Sequence, residues 1–195
     1  MNIVNVGYGS THYYVLGGGS NRLLVDVGWP GTMGKLLAIL KRKGIALEEV
    51  RYVLATHFHP DHAGLVQELK LMGVRLIVVE GQRDAIPVLK RWMKPDMHYH
   101  DIDTRDNIDV TLAESRGFLA KLGIAGEIIG TPGHSDDSVS LVLDSGEAFT
   151  GDLQAVSRAD DSDVAKVRRS WEKIRGLNAK AIFPGHGPSR PVPAP

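Results

Sequence analysis

Thr56-His57-Phe58-His59-Pro60-Asp61-His62-Ala63-Gly64 places four potential metal ligands within six residues, in the pattern H-x-H-x-D-H. In front of it, Val50-Arg51-Tyr52-Val53-Leu54-Ala55 reads as a buried strand. Behind it, residues 64–70 open an apolar helical period. The ligands therefore fall on a strand-to-helix turn, where α/β proteins commonly place chemistry. Imidazoles and carboxylates are the N and O donors preferred by zinc and other first-row divalent ions. A His-rich surface loop is the plain alternative, and the ligand spacing counts against it.

Upstream, residues 22–27 read as a strand that contains Asp26, an acid inside an apolar run. A buried carboxylate needs a partner; the competing reading is a turn or cap acid. Residues 2–7 and 11–16 read as further strands, with Gly17-Gly18-Gly19-Ser20-Asn21 as a hairpin turn before 22–27. Residues 33–43 read as a helix stopped by Gly44. Downstream, the helix after the motif runs to about Leu71, and 75–79 is a strand. Residues 82–93 read as a helix weakened by Pro87, with Trp92 and Met93 assigned to the core. Residues 94–109 are polar and aperiodic and read as a long loop. Then follow a helix (111–122), a strand (127–130), an antiparallel pair (138–143 with 147–150), an amphipathic helix carrying Trp171 (161–177), and a last strand (179–183). The tail Pro191-Val192-Pro193-Ala194-Pro195 reads as frayed.

A chain of 195 residues suits one domain, 1–195, able to bury a substantial core. The net charge of +0 gives no support to a nucleic-acid or membrane surface, so the expected partner is a small-molecule substrate. With no cysteine, neither a disulfide framework nor a thiolate nucleophile is available. The start of the chain lacks a basic region followed by a long apolar run, and no apolar stretch has transmembrane length. These features lead us to expect a cytoplasmic protein.

Three further candidate ligands lie at strand-to-glycine corners: His134 in Thr-Pro-Gly-His-Ser, Asp152 in Thr-Gly-Asp-Leu, and His186 in Pro-Gly-His-Gly-Pro. Each alone reads more simply as a turn residue. Together with the first cluster, and in this order, they resemble the metallo-β-lactamase fold superfamily. The resemblance covers nearly the whole chain, and the ligand set looks most like the hydroxyacylglutathione hydrolase type. It implies an α+β fold, a four-layer αββα sandwich with the site at one edge between two sheets. It also implies two divalent metal ions, zinc, or alternatively iron or manganese. His57, His59 and His134 would hold the first ion, Asp61, His62 and His186 the second, and Asp152 would bridge them. Asp61 would also orient a metal-bridging hydroxide, and Asp26 would fix a ligand histidine.

The activity so implied is hydrolysis of an ester, thioester, lactone or phosphoester, with carboxylic esters and thioesters preferred. Two alternatives compete with it. One is a mononuclear iron persulfide dioxygenase, which needs only part of the ligand set. The other is a non-catalytic metal-binding protein, against which the costly burial of unpaired imidazoles and carboxylates argues. Hydroxyacylglutathione hydrolases carry a further helical region, whereas this sequence ends nine residues after His186. Many lactonases of the fold have Tyr three residues after the bridging Asp, where this chain has Ala155. Substrate-contacting loops are expected at residues 8–13, at Trp29-Pro30, and at 94–109 with His98, Tyr99 and His100.

Overall fold

The computed structural model describes residues 1–194. Its first sheet is built from β1 (Ile3–Asn5), β2 (Tyr14–Leu16), β3 (Arg22–Val25), β4 (Val50–Leu54), β5 (Arg75–Val79) and β6 (Ile108–Val110), adjacent in that order. The first three strands form an antiparallel meander, and β3 to β6 run parallel. The second sheet has β7 (Gly126–Gly130), β8 (Val139–Leu143), β9 (Glu147–Gly151), β10 (Ala181–Pro184) and β11 (Arg190–Pro191), in the order β11-β10-β9-β8-β7.

Alternation along the parallel strands separates two cores. Leu23, Val25, Leu54, Ile77 and Val79 face the second sheet and meet Leu141, Leu143 and Phe149. Leu24, Val53, Ala55, Leu76 and Val78 face outward, under α1 (Met33–Arg42) and α3 (Val66–Leu71). Burial on both faces explains why these strands read as continuous apolar runs. The helix α4 (Ser115–Lys121) precedes the second sheet, and on that sheet's far side Val167, Trp171 and Ile174 of α5 (Val164–Gly176) cover Val142, Ala148 and Ile182. The result is the αββα layering expected from the sequence.

Several local expectations are corrected. The segment after the ligand motif is two short helices, α2 (Pro60–Ala63) and α3, rather than one. Residues Arg83–Trp92 form a 3-10 helix around Pro87, and Trp92 is 58% exposed, not core. The loop 94–109 ends in β6, an edge strand hidden in a polar stretch. The tail is partly ordered: Arg190 and Pro191 pair with β10, and the Val192 amide donates to Lys180 O. Proline is compatible with such an edge position. Pro195, the last of the tail residues, lies outside the described residues. Among those described, no helix is long and apolar enough to cross a membrane.

Candidate metal centre

Four loops converge, and each leaves the C-terminal end of a strand. The first sheet sends Thr56 to His62 from β4. The second sends His134 from β7, Asp152 from β9 and His186 from β10. A backbone bond from Val139 N to Thr56 O, 2.8 Å, joins the two sheets beside the ligand motif. Glycine is required at two of these corners. A Cβ at Gly185 would collide with His62 Cε1 and lie 2.6 Å from Asp152 Oδ1. Gly151 has φ 51°, and a Cβ there would press on the Thr56 side chain.

All seven candidate ligands come together in two adjoining groups. In one, His57 Nε2 lies 3.2 Å from His59 Nδ1, which lies 3.0 Å from His134 Nε2. In the other, Asp61 Oδ2 lies 3.6 Å from His62 Nε2 and 3.1 Å from His186 Nε2. Asp152 stands between them: Oδ1 is 3.3 Å from His62 Nε2, while Oδ2 is 3.5 Å from His186 Nε2 and 3.7 Å from His134 Nε2. Donors about 2.0–2.1 Å from a tetrahedral ion sit about 3.3–3.4 Å apart, so these spacings suit divalent ions. Two buried atoms, His62 Nε2 and Asp152 Oδ1, face each other with no hydrogen-bond partner. Buried polar atoms are normally satisfied, and an ion between them would do so. The residues present therefore fit the metal that the donor set implies.

Asp26 lies behind the centre rather than facing its cavity. Its Oδ2 accepts from His62 Nδ1 at 2.9 Å and from Thr56 Oγ1 at 2.9 Å, and its Oδ1 accepts from the Thr56 amide at 2.6 Å. These bonds hold Asp26 at φ 60°, a left-handed conformation uncommon outside glycine. Thr56 Oγ1 in turn lies 3.2 Å from His57 Nδ1. One carboxylate thus orients a histidine of the second group directly and one of the first through a threonine.

Two supports of the site, Thr11 and Ser10, carry no signal in the sequence. Thr11 Oγ1 donates to Asp61 Oδ2 at 3.0 Å, and His186 Nδ1 donates to Ser10 O at 2.7 Å. The sequence suggests that residues 8–13 line the substrate site; within that stretch, Ser10 and Thr11 brace the second ligand group. Thr11 and Asp61 are separated by 50 residues, and no local pattern links them. His98 lies beside Gly31, and Tyr99 packs against the outer core. Among the described residues the ligand set draws none of its polar partners from loop 94–109.

The electrostatics divide the histidines. Burial and the neighbouring imidazoles push His57 well below its ordinary pKa, and burial also lowers His134. Both keep a free lone pair at neutral pH, as a metal ligand must. Burial works the same way on His62, but Asp26 and Asp152 outweigh it and raise His62 to about 10, so an ion bound at its Nε2 would have to displace a proton, which makes metal binding there pH-dependent. Burial pushes Asp152 up, yet His62 and the other imidazoles bring it below the usual carboxylate range. Next to the centre a cavity of about 700 Å³ opens, lined by His134, Asp152, His186, Gln154, Arg158 and Arg190 among others. Trp92 is not among the lining residues, and its ring stands 5.5 Å from that of His59.

The profile of the metallo-beta-lactamase superfamily matches residues 6–186. This chain belongs to the metallo-beta-lactamase superfamily. Among its curated relatives, a beta-lactamase-like protein 2 homolog of Caenorhabditis elegans is 30% identical over 183 residues, covering 91% of this chain and 56% of the relative. An atrochrysone carboxyl ACP thioesterase of Aspergillus fumigatus is 30% identical over 184 residues, covering 91% of this chain and 50% of the relative. The chain thus spans about half the length of these relatives. Their names point to no particular likeness to the hydroxyacylglutathione hydrolases within the superfamily. A crystal structure of a metallo-beta-lactamase family protein from Thermus thermophilus superposes with a TM-score of 0.74 at 19% identity, over 98% of this chain and 74% of that one. This likeness fixes the fold.

Proposed function

We propose that the protein is a binuclear metallohydrolase that cleaves a small-molecule thioester or carboxylic ester. The observation that carries the reading is the set of three overlapping donor groups, His57/His59/His134, Asp61/His62/His186 and, joining them, His57/His62/Asp152, with His62 Nε2 and Asp152 Oδ1 buried and without a hydrogen bond. The relative named as an ACP thioesterase supports the choice of acyl substrate. On this reading His57, His59 and His134 hold one ion, Asp61, His62 and His186 the other, and Asp152 both. Zinc is the proposed metal and the cytoplasm the proposed location.

Bound divalent ions would supply a water of lowered pKa and Lewis acidity toward the carbonyl oxygen. The chain's own residues prepare that chemistry. Asp61, held through Oδ2 by Thr11, orients the attacking water. Asp26 is a positioning residue: it fixes the His62 tautomer so that Nε2 faces the centre, and Thr56 extends the same control to His57. No protein nucleophile is required, in keeping with the absence of cysteine. The test is a zinc-reconstituted preparation assayed on thioester, ester, lactone and phosphodiester panels. Turnover of acyl substrates that disappears with chelation and returns with zinc is expected. Oxygen consumption with a persulfide, or no turnover on any panel, would overturn the reading.

A further inference from the structure

The cavity beside the ligand set is asymmetric in charge. Arg158 closes the short 3-10 turn Val156–Arg158, six residues after Asp152, and Arg190 opens β11, four residues after His186. Both guanidinium-bearing side chains line the cavity, and among the described residues neither is ion-paired. Arg190 makes one long contact, 3.5 Å to Pro188 O. Among the described lining residues the single acid is Asp152, whose carboxylate is turned to the histidines. Outside this lining, the exposed indole of Trp92 stands beside His59. A planar fork of N–H donors matches a carboxylate or phosphate in bidentate fashion, and two forks in one cavity bind an anion better than they bind water. A volume of about 700 Å³ is enough for a small-molecule ligand.

We propose that Arg158 and Arg190 form an anion-recognition wall, so that the substrate carries a carboxylate or phosphate on the side of its scissile bond nearest His186 and Asp152. The assignment of this cavity to the substrate rests on the hydrolase reading above. The anion-binding wall itself has a separate readout. It is tested by equilibrium binding to the zinc-reconstituted protein, using two matched pairs of thiols. The carboxylate pair is 3-mercaptopropionate and its methyl ester. The phosphate pair is 4′-phosphopantetheine and pantetheine. Each pair shares its thiol and differs in its anionic group.

The expected result is that the parent protein prefers the charged member of at least one pair by about tenfold or more, as charge-assisted hydrogen bonds give. The pair that shows the preference identifies the anion. In the Arg158→Gln/Arg190→Gln double variant the ratio falls toward one, and added salt shrinks it in the parent. A ratio near one for both pairs in the parent overturns the proposal, as does an unchanged ratio in the double variant or no binding of any probe. If the ratios behave as expected but no ester or thioester is turned over, the wall stands and the hydrolase reading fails.

Discussion

Thr11 and Asp26 grip the second ligand group from behind, and their effects should be separable from those of the ligands themselves. Removing the Thr11 hydroxyl leaves Asp61 without its 3.0 Å donor. Thr11→Val should weaken the second ion by about 10–100-fold, as loss of a supporting contact to a ligand commonly does, and leave the first ion in place. Titration against a competing chelator measures this, and equal weakening of both ions would count against the assignment. Asp26→Ala removes an acceptor for both His62 and Thr56, so it should lower the affinity for both ions, more for the second, whose His62 it holds directly, than for the first, which it reaches only through Thr56. Gly185→Ala has no room beside His62 and Asp152, so the folded variant should bind less metal than the parent, as circular dichroism and elemental analysis together would show. The ligands are legible in the sequence because imidazoles and carboxylates cluster in one motif or sit at glycine corners. Thr11 is not, because its partner lies 50 residues away and an isolated threonine carries no signal. Trp92 misleads because a helical period suggests a buried face, whereas the ring stands at the surface beside His59.

At the scale of elements, the strands with both faces buried are the most legible. The expected bounds of residues 75–79 match the observed strand, because an apolar run between Arg75 and a glycine turn admits little else. β6 is not legible: Ile108-Asp109-Val110 is three residues long, with an acid at its centre and polar neighbours. β11 is masked by the prolines that surround it, yet an edge position tolerates them. The ligand loops depend on the outer helices as well as on the strands. Trp171 of α5 is 1% exposed, and its Nε1 donates to Gln154 O at 2.9 Å, two residues past Asp152. Trp171→Ala should cost about 3–5 kcal/mol of unfolding free energy, as truncation of a buried large aromatic does. Urea denaturation would measure the loss, and a change below about 1 kcal/mol would mean that the helix contributes little to holding the second sheet.

For the molecule as a whole, each ligand group draws on both sheets. His57 and His59 come from the first sheet and His134 from the second; Asp61 and His62 come from the first and His186 from the second. Ions held there would tie the two halves of the sandwich together, so metal affinity becomes folding stability. At free metal near 100 times Kd the gain is about 2.7 kcal/mol per ion, or roughly 5–10 °C in the unfolding midpoint per ion for a chain of this size, and about twice that for two ions. Scanning calorimetry of chelated and zinc-loaded protein should show that shift. Two adjoining ions sharing Asp152 would be revealed by elemental analysis of the purified protein beside its His134→Ala and His186→Ala variants. About two zinc ions per chain are expected in the parent and about one in each variant. One iron per chain unaffected by His186→Ala, or no metal after reconstitution, would contradict that arrangement.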